Sequence, residues 1–180
     1  MSSGDALAPA AVALGALQLD DAAEEILGLA RACGRQLAVA ESCTGGRVAA
    51  ALTAVSGASD VFVGGVVAYA NAVKVRALAV PATTLAAHGA VSAATALAMA
   101  EGVRVALQAD LAASCTGIAG PSGGSADKPV GTLWIAVADA DGGAAQRFEL
   151  AGLDRAQFQG EATALVLRSL RQRLLGLPLS

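Results

Sequence analysis

The tetrapeptide Ser-Cys-Thr-Gly occurs twice in the chain, as Ser42-Cys43-Thr44-Gly45 and as Ser114-Cys115-Thr116-Gly117, each time directly after a short apolar run. Open α/β sheets hold their ligands in the crevice at the C-terminal ends of the strands, so a hydroxyl at such a position can do chemistry. Coincidence in a chain rich in small residues is the rival explanation of so short a repeat. The two copies differ in their downstream neighbours. Cys43-Thr44-Gly45-Gly46-Arg47 runs into a helical pattern. The backbone N–H groups of Cys43 to Gly46 and the positive end of that helix are therefore expected to face whatever Ser42 attacks, an oxyanion-hole arrangement. Ser114 is followed by a glycine-rich loop and lacks this support, which makes Ser42 the better nucleophile and Thr116 the better substrate contact. Neither copy matches the phosphate loop Gly-x-x-x-x-Gly-Lys-Ser/Thr or the Gly-x-Ser-x-Gly elbow.

A serine nucleophile needs a base. His88 is the only histidine and stands before Gly89, where it reads as a helix end rather than a catalyst. Tyr69 and Lys74 close a predicted strand and open the following helix, within reach of the crevice that Ser42 faces. A lysine serves as a base near neutral pH when burial lowers its pKa. A solvated lysine on an exposed helix face is the alternative, and spacing alone leaves both open.

Other chemistries find little support. Three cysteines, Cys33, Cys43 and Cys115, with one histidine and no Cys-x-x-Cys, make no tetrahedral zinc site, so neither a metal nor another cofactor is expected. A net charge of -3 with scattered basic residues, and only three Phe, one Trp and one Tyr, argue against a nucleic-acid partner. The longest uncharged stretch, residues 77–100, is interrupted by Pro81, His88 and Gly89, so no membrane span is expected. No Lys or Arg precedes Arg31, and Asp5 stands where a signal peptide would carry positive charge, which gives a cytoplasmic expectation.

The elements that must position these residues can be read in order. Residues 1–19, rich in Ala, Gly and Ser, read as a leader, disordered or forming a loose extra helix, and one domain is expected over residues 20–177. Asp20-Asp21 caps a first helix ending at Gly34. Strands are predicted at 36–41, 61–69 and 111–116, and helices at 45–55, 71–78 and 92–108, the last capped by Ser92. Residues 117–131 hold five glycines and two prolines and must form a long loop, a length that points to function or disorder. A hairpin of strands 132–138 and 145–150 around Asp141-Gly142-Gly143 and a final helix over 154–175 complete a single three-layer α/β/α domain with a mixed sheet.

Five segments in order also resemble the CinA C-terminal family: Ala40-Glu41-Ser42-Cys43-Thr44-Gly45-Gly46, Tyr69-x-Asn71-x-x-Lys74, His88-Gly89-Ala90-Val91-Ser92, Gly117-Ile118-Ala119-Gly120-Pro121-x-Gly123-Gly124-Ser125 and Lys128-Pro129-Val130-Gly131-Thr132. The resemblance covers residues from about 22 to 175. It implies hydrolysis of the carboxamide of nicotinamide mononucleotide, giving nicotinic acid mononucleotide and ammonia. Ser42 would be the nucleophile through an acyl-enzyme, with Tyr69 and Lys74 as the proton-transfer pair. Cys43, Thr44, Gly45, Gly46, Asn71, Thr116, Gly117, Gly120, Gly123, Gly124, Ser125 and Lys128 would contact the substrate. The glycine loop, with Lys128 at its far end, is expected to read the phosphate through successive backbone N–H groups.

Asp127, Gly152-Leu153-Asp154-Arg155 and Gln157 to Gln159 depart from the family pattern, which puts phosphate contacts from the last region in question. The larger N-terminal domain of full CinA proteins is missing from this sequence, so its pyrophosphatase chemistry is not expected. A homo-oligomer is a further expectation. The rival readings are a non-catalytic nucleotide-binding domain of the competence and damage-inducible kind and an amidase for another small amide.

Overall fold

The computed structural model describes residues 16–179, with side chains from Leu19 onward. The elements in chain order are α1 (Ala16–Cys33), β1 (Leu37–Glu41), α2 (Arg47–Ala54), a 3₁₀ turn (Ala58–Asp60), β2 (Phe62–Val67), α3 (Asn71–Leu78), α4 (Ala82–His88), α5 (Ala93–Ala106), β3 (Leu111–Gly117), β4 (Thr132–Asp139), β5 (Gly142–Glu149) and α6 (Arg155–Leu174). Strand order is β2-β1-β3-β4-β5. β1 pairs in parallel with β2 and β3, while β4 is antiparallel to both β3 and β5. The sheet is mixed, as expected.

Alternation along the strands builds the two faces. Leu37 and Val39 join Leu111, Ala113, Ile135 and Val137 in the larger core, covered by α1, α2 and α6. Ala38, Ala40 and Ala112, followed by Ala136 and Ala138, face α5. Small side chains on that face let α5 lie close, and the approach continues outward to α3. A Cβ at Gly102 would fall 1.9 Å from the Leu78 carbonyl oxygen, so only glycine fits there. Among the described residues no helix is long and apolar enough to cross a membrane.

The connection leaving β1 runs to one side, through α2 to β2. The chain then crosses the opposite face through α3, α4 and α5 to return as β3 on the other side of β1. This reversal opens a crevice at the C-terminal ends of β1 and β3.

Several boundaries differ from expectation. Helix α1 is already formed at Ala16, the first described residue, ahead of the Asp20-Asp21 cap, and Leu19 packs on the core one turn before Ala23 and extends the apolar stripe. Residues 1–15 of the expected leader lie outside the described residues. Helix α2 starts at Arg47 rather than Gly45, since Gly45 and Gly46 are left-handed at φ 65° and 100°. The final hairpin closes earlier, with β5 beginning at Gly142. A short helix, α4, ends at His88, where Gly89 at φ 73° caps it and accounts for the solitary histidine.

Candidate active site

Ser42 is the first residue past β1. Its N–H donates to the Cys115 carbonyl at 3.1 Å, which carries the β1–β3 pairing one step beyond the strand before the chain turns away. The side chain is 9% exposed and opens into a cavity of about 190 Å³. Lys74, on α3, is 1% exposed. Its Nζ lies 3.0 Å from Ser42 Oγ, 2.7 Å from the Ala68 carbonyl and 3.3 Å from the Tyr69 carbonyl. Burial lowers the lysine pKa from its ordinary value, opposed in part by the Cys43 and Cys115 thiols. The buried reading of Lys74 is therefore the one the fold realises, and the solvated-face alternative falls away.

A neutral amine has two N–H donors and one lone pair. Nζ donates to all three oxygens; once deprotonated, with its two hydrogens kept on the Ala68 and Tyr69 carbonyls, the amine would turn its lone pair to the Ser42 hydroxyl, and proton transfer between them would need no intermediary. The Tyr69 hydroxyl stands apart from this pair. The side chain is 62% exposed at the mouth of the cavity, and its oxygen accepts from Arg155 Nη2 at 2.8 Å.

Cys43 lines the same cavity, but hydrogen bonding to Cys115 and burial push its thiol pKa well up. That shift disfavours the thiolate a cysteine nucleophile needs.

The helix-dipole expectation for Ser42 needs correcting. The carboxylate of Glu41, which the sequence pattern did not single out, occupies the N-terminus of α2. Glu41 Oε2 accepts from Thr44 Oγ1 at 2.6 Å, Gly46 N at 2.9 Å and Val48 N at 3.1 Å, and Oε1 accepts from Ala49 N at 2.8 Å. The Gly46 N–H and the positive helix end thus serve an internal anion, and only the N–H groups earlier in the turn are left for a ligand. An available signal was the charge itself: a Glu ending a five-residue buried strand must find donors, and the nearest are the first N–H groups of the next helix.

Asn71, Thr116 and Gly117 line the cavity with Ser42, Cys43, Tyr69 and Lys74. Thr116 Oγ1 donates to the Ala90 carbonyl at 2.8 Å, tying β3 to the segment between α4 and α5. A Cβ at Gly117 would meet the Thr132 carbonyl at 2.8 Å, so its glycine is a packing requirement as much as a lining one. Thr44 is fully buried, turned inward onto Glu41 and 3.0 Å from Cys115 Sγ, away from the cavity. Gly45 and Gly46 supply the left-handed turn.

Of the distal glycine loop, Gly120 gives its carbonyl to Arg155 beside this cavity, while Gly123, Gly124, Ser125 and Lys128 are absent from its lining. The loop folds on itself instead. Ser125 N donates to the Lys128 carbonyl at 2.9 Å, Gly131 N donates to the Ile118 carbonyl at 2.8 Å, and Lys128 Nζ donates to the His88 carbonyl at 2.7 Å. A lysine at the last carbonyl of α4 is a helix C-terminal contact.

Besides Lys74, the basic side chain that lines the cavity is Arg155, from the segment that departs from the family pattern. Its Nη1 donates to the Gly120 carbonyl at 3.1 Å and its Nη2 to Tyr69. Among the described residues no carboxylate pairs with it. Asp154 caps α6 in a reciprocal pair with Gln157, which fixes where Arg155 emerges. Gln159 Nε2 donates to the Cys43 carbonyl at 3.0 Å and holds the turn after Ser42 from the α6 side.

A larger groove, about 540 Å³, lies between α3 and α5 and is lined by Leu78, Pro81, Val105 and other mainly apolar groups. It holds no nucleophile, and the smaller cavity is the one with convergent chemistry. No group of three His, Cys, Asp or Glu side chains able to hold a metal ion occurs among the described residues.

The CinA C-terminal domain model matches residues 19–174. The chain belongs to the CinA C-terminal domain family. A CinA-like protein of Citrifermentans bemidjiense is 50% identical over 147 residues, covering 82% of this chain and 35% of that protein. A CinA-like protein of Synechococcus sp. (strain RCC307) is 56% identical over 123 residues, 68% of this chain and 30% of that one. The chain thus spans about a third of the length of these relatives. Among solved structures, the competence/damage inducible protein CihA from Agrobacterium tumefaciens superposes with a TM-score of 0.84 at 36% identity, over 89% of this chain and 96% of that one. A CinA superfamily protein from Klebsiella pneumoniae gives 0.83 at 34%, over 88% and 98%. These CinA structures carry the same α/β fold.

Proposed function

We propose that this CinA domain is an amidohydrolase that uses a Ser42–Lys74 pair on a small carboxamide, with nicotinamide mononucleotide as substrate. The observation that carries the reading is the buried Lys74 amine 3.0 Å from Ser42 Oγ with its other hydrogens held by two backbone carbonyls. Lys74 takes the Ser42 proton as Oγ bonds to the amide carbon. The Cys43 N–H, at the cavity wall, receives the developing oxyanion. As the C–N bond breaks, protonated Lys74 returns its proton to the leaving ammonia. Water then attacks the serine ester, giving one proton to Lys74, which passes it to Ser42 as the carboxylic acid departs and loses its remaining proton to solvent.

Arg155 and Tyr69 at the mouth suit the far end of a nucleotide. A guanidinium that donates only to neutral oxygens keeps its charge available for a phosphate, and its flat fork of donors matches the phosphate oxygens. The ring carboxamide then lies inward and the phosphate outward. We place the phosphate at Arg155 rather than at Lys128, and the chain would work in NAD metabolism, recycling a pyridine nucleotide without metal or redox cofactor.

Incubating the purified protein with nicotinamide mononucleotide and, separately, with nicotinamide tests the reading through released ammonia and the acid product. Turnover of the nucleotide well above that of the free amide is expected. No ammonia from either would remove the hydrolase, and equal turnover of both would remove phosphate recognition.

A further inference from the structure

Glu41 touches neither the cavity nor the Lys74 amine, yet both halves of the pair depend on it. Its side chain is 1% exposed. Its carboxylate gathers Thr44, Gly46, Val48 and Ala49, which fixes the turn on the C-terminal side of Ser42. Its carbonyl accepts from Ala68 N at 2.7 Å, and the Ala68 carbonyl in turn accepts from Lys74 Nζ. One residue therefore anchors the nucleophile through its side chain and sits one backbone step from the anchor of the base. Four donors on one buried carboxylate also explain why the charge is tolerated there.

We infer that Glu41 is the positioning residue of the nucleophile turn, holding Ser42 Oγ on the Lys74 amine and keeping the Gly46 N–H out of the ligand site. The inference rests on the Ser42–Lys74 reading but not on the identity of the amide. Glu41→Gln keeps the shape and removes the charge. With its single carbonyl oxygen in the Oε2 position, its NH₂ faces the Ala49 N–H, donor against donor, and the first turn of α2 must shift. Displacements on the order of 1 Å at a reacting atom cost about a hundredfold in rate.

The test is the rate of Ser42 acylation by p-nitrophenyl acetate, with the modified residue located by mass spectrometry, alongside kcat and KM for nicotinamide mononucleotide. A folded Glu41→Gln, checked by circular dichroism and melting above the assay temperature, should lose about ten- to a hundredfold in both acylation rate and kcat with KM little changed. Should that variant fail to fold, Thr44→Val, which removes one donor from the carboxylate, should slow acylation severalfold at unchanged KM. Unchanged acylation in whichever variant folds, or a raised KM at unchanged kcat, overturns the inference. A wild type that is acylated at Ser42 but leaves the nucleotide intact would refute the proposed substrate while the Glu41 result still stands or falls on acylation. A wild type that is not acylated and hydrolyses nothing overturns both.

Discussion

Ser42 and Ser114 begin the same tetrapeptide on neighbouring parallel strands, yet their hydroxyls do different work. Ser114 lies within β3, opposite Ala40 on β1, so its copy sits two residues earlier in the pairing than the Ser42 copy, whose preceding Glu41 faces Cys115. The Ser114 hydroxyl is 1% exposed and donates to the Ala96 carbonyl of α5 at 2.6 Å. The Ser42 hydroxyl lies past the end of its strand, in the cavity and against Lys74. The threonines divide likewise, Thr44 turning inward to Glu41 and Thr116 lining the cavity. Identical side chains thus become a hydroxyl set against a buried amine or a helix clamp according to where the strand stops.

Ser42→Ala breaks the comparison most severely. It deletes the nucleophile at little packing cost, so kcat for the nucleotide should fall at least about a thousandfold with the circular dichroism spectrum unchanged. The equivalent change at Ser114 should leave kcat and KM near wild type.

Lys74→Met should cost about a hundred- to ten-thousandfold in kcat, the usual contribution of a positioned base. Wild-type activity requires the neutral amine, so kcat/KM should rise with pH and level off at a midpoint below the ordinary lysine value of about 10.4, because burial lowers the folded-state pKa. The same shift acts on stability. The unfolded lysine binds its proton at higher pH than the folded one, so wild type loses stability as pH falls from about 10.4 towards the folded value. A melting series over pH should show that slope in wild type and a flatter one in Lys74→Met.

Ser114→Ala sharpens the comparison from the other side. Losing a buried hydrogen bond to α5 should lower stability by about 1 kcal/mol, or about 2–4 °C in melting temperature, with turnover retained.

The smallest effect belongs to Lys128→Ala. With its ammonium on the His88 carbonyl, activity on nicotinamide mononucleotide should change by no more than about twofold. A KM increase of tenfold or more, confined to the phosphorylated substrate, would return the phosphate to the glycine loop.

Much of the fold was legible because periodicity reports burial: Leu37 to Ala40 reads as a strand and is one, and Ser92 caps α5 as its position suggests. The junction of Ser42 with a turn and a helix was legible for the same reason. Other features depend on contacts across the chain. Glu41 lies beside Ser42 in sequence, but its role appears only when α2 folds its N–H groups onto the carboxylate. Arg155 reaches the cavity from α6, 113 positions after Ser42, and no local pattern encodes that approach. Lys128 reads as a phosphate contact because glycines and a nearby cation do describe anion nests; the bond from its ammonium to the His88 carbonyl at the end of α4 is a contact across the chain that no local pattern encodes.

The central claim is that the amide carbon passes through a covalent bond to Ser42. Quenching the wild-type protein during turnover of nicotinamide mononucleotide and mapping its peptides by mass spectrometry tests this directly. The account predicts an adduct of substrate minus ammonia on Ser42, labile to further hydrolysis and missing from Ser42→Ala. An adduct on Cys43 or Ser114, or undiminished turnover in Ser42→Ala, would contradict it.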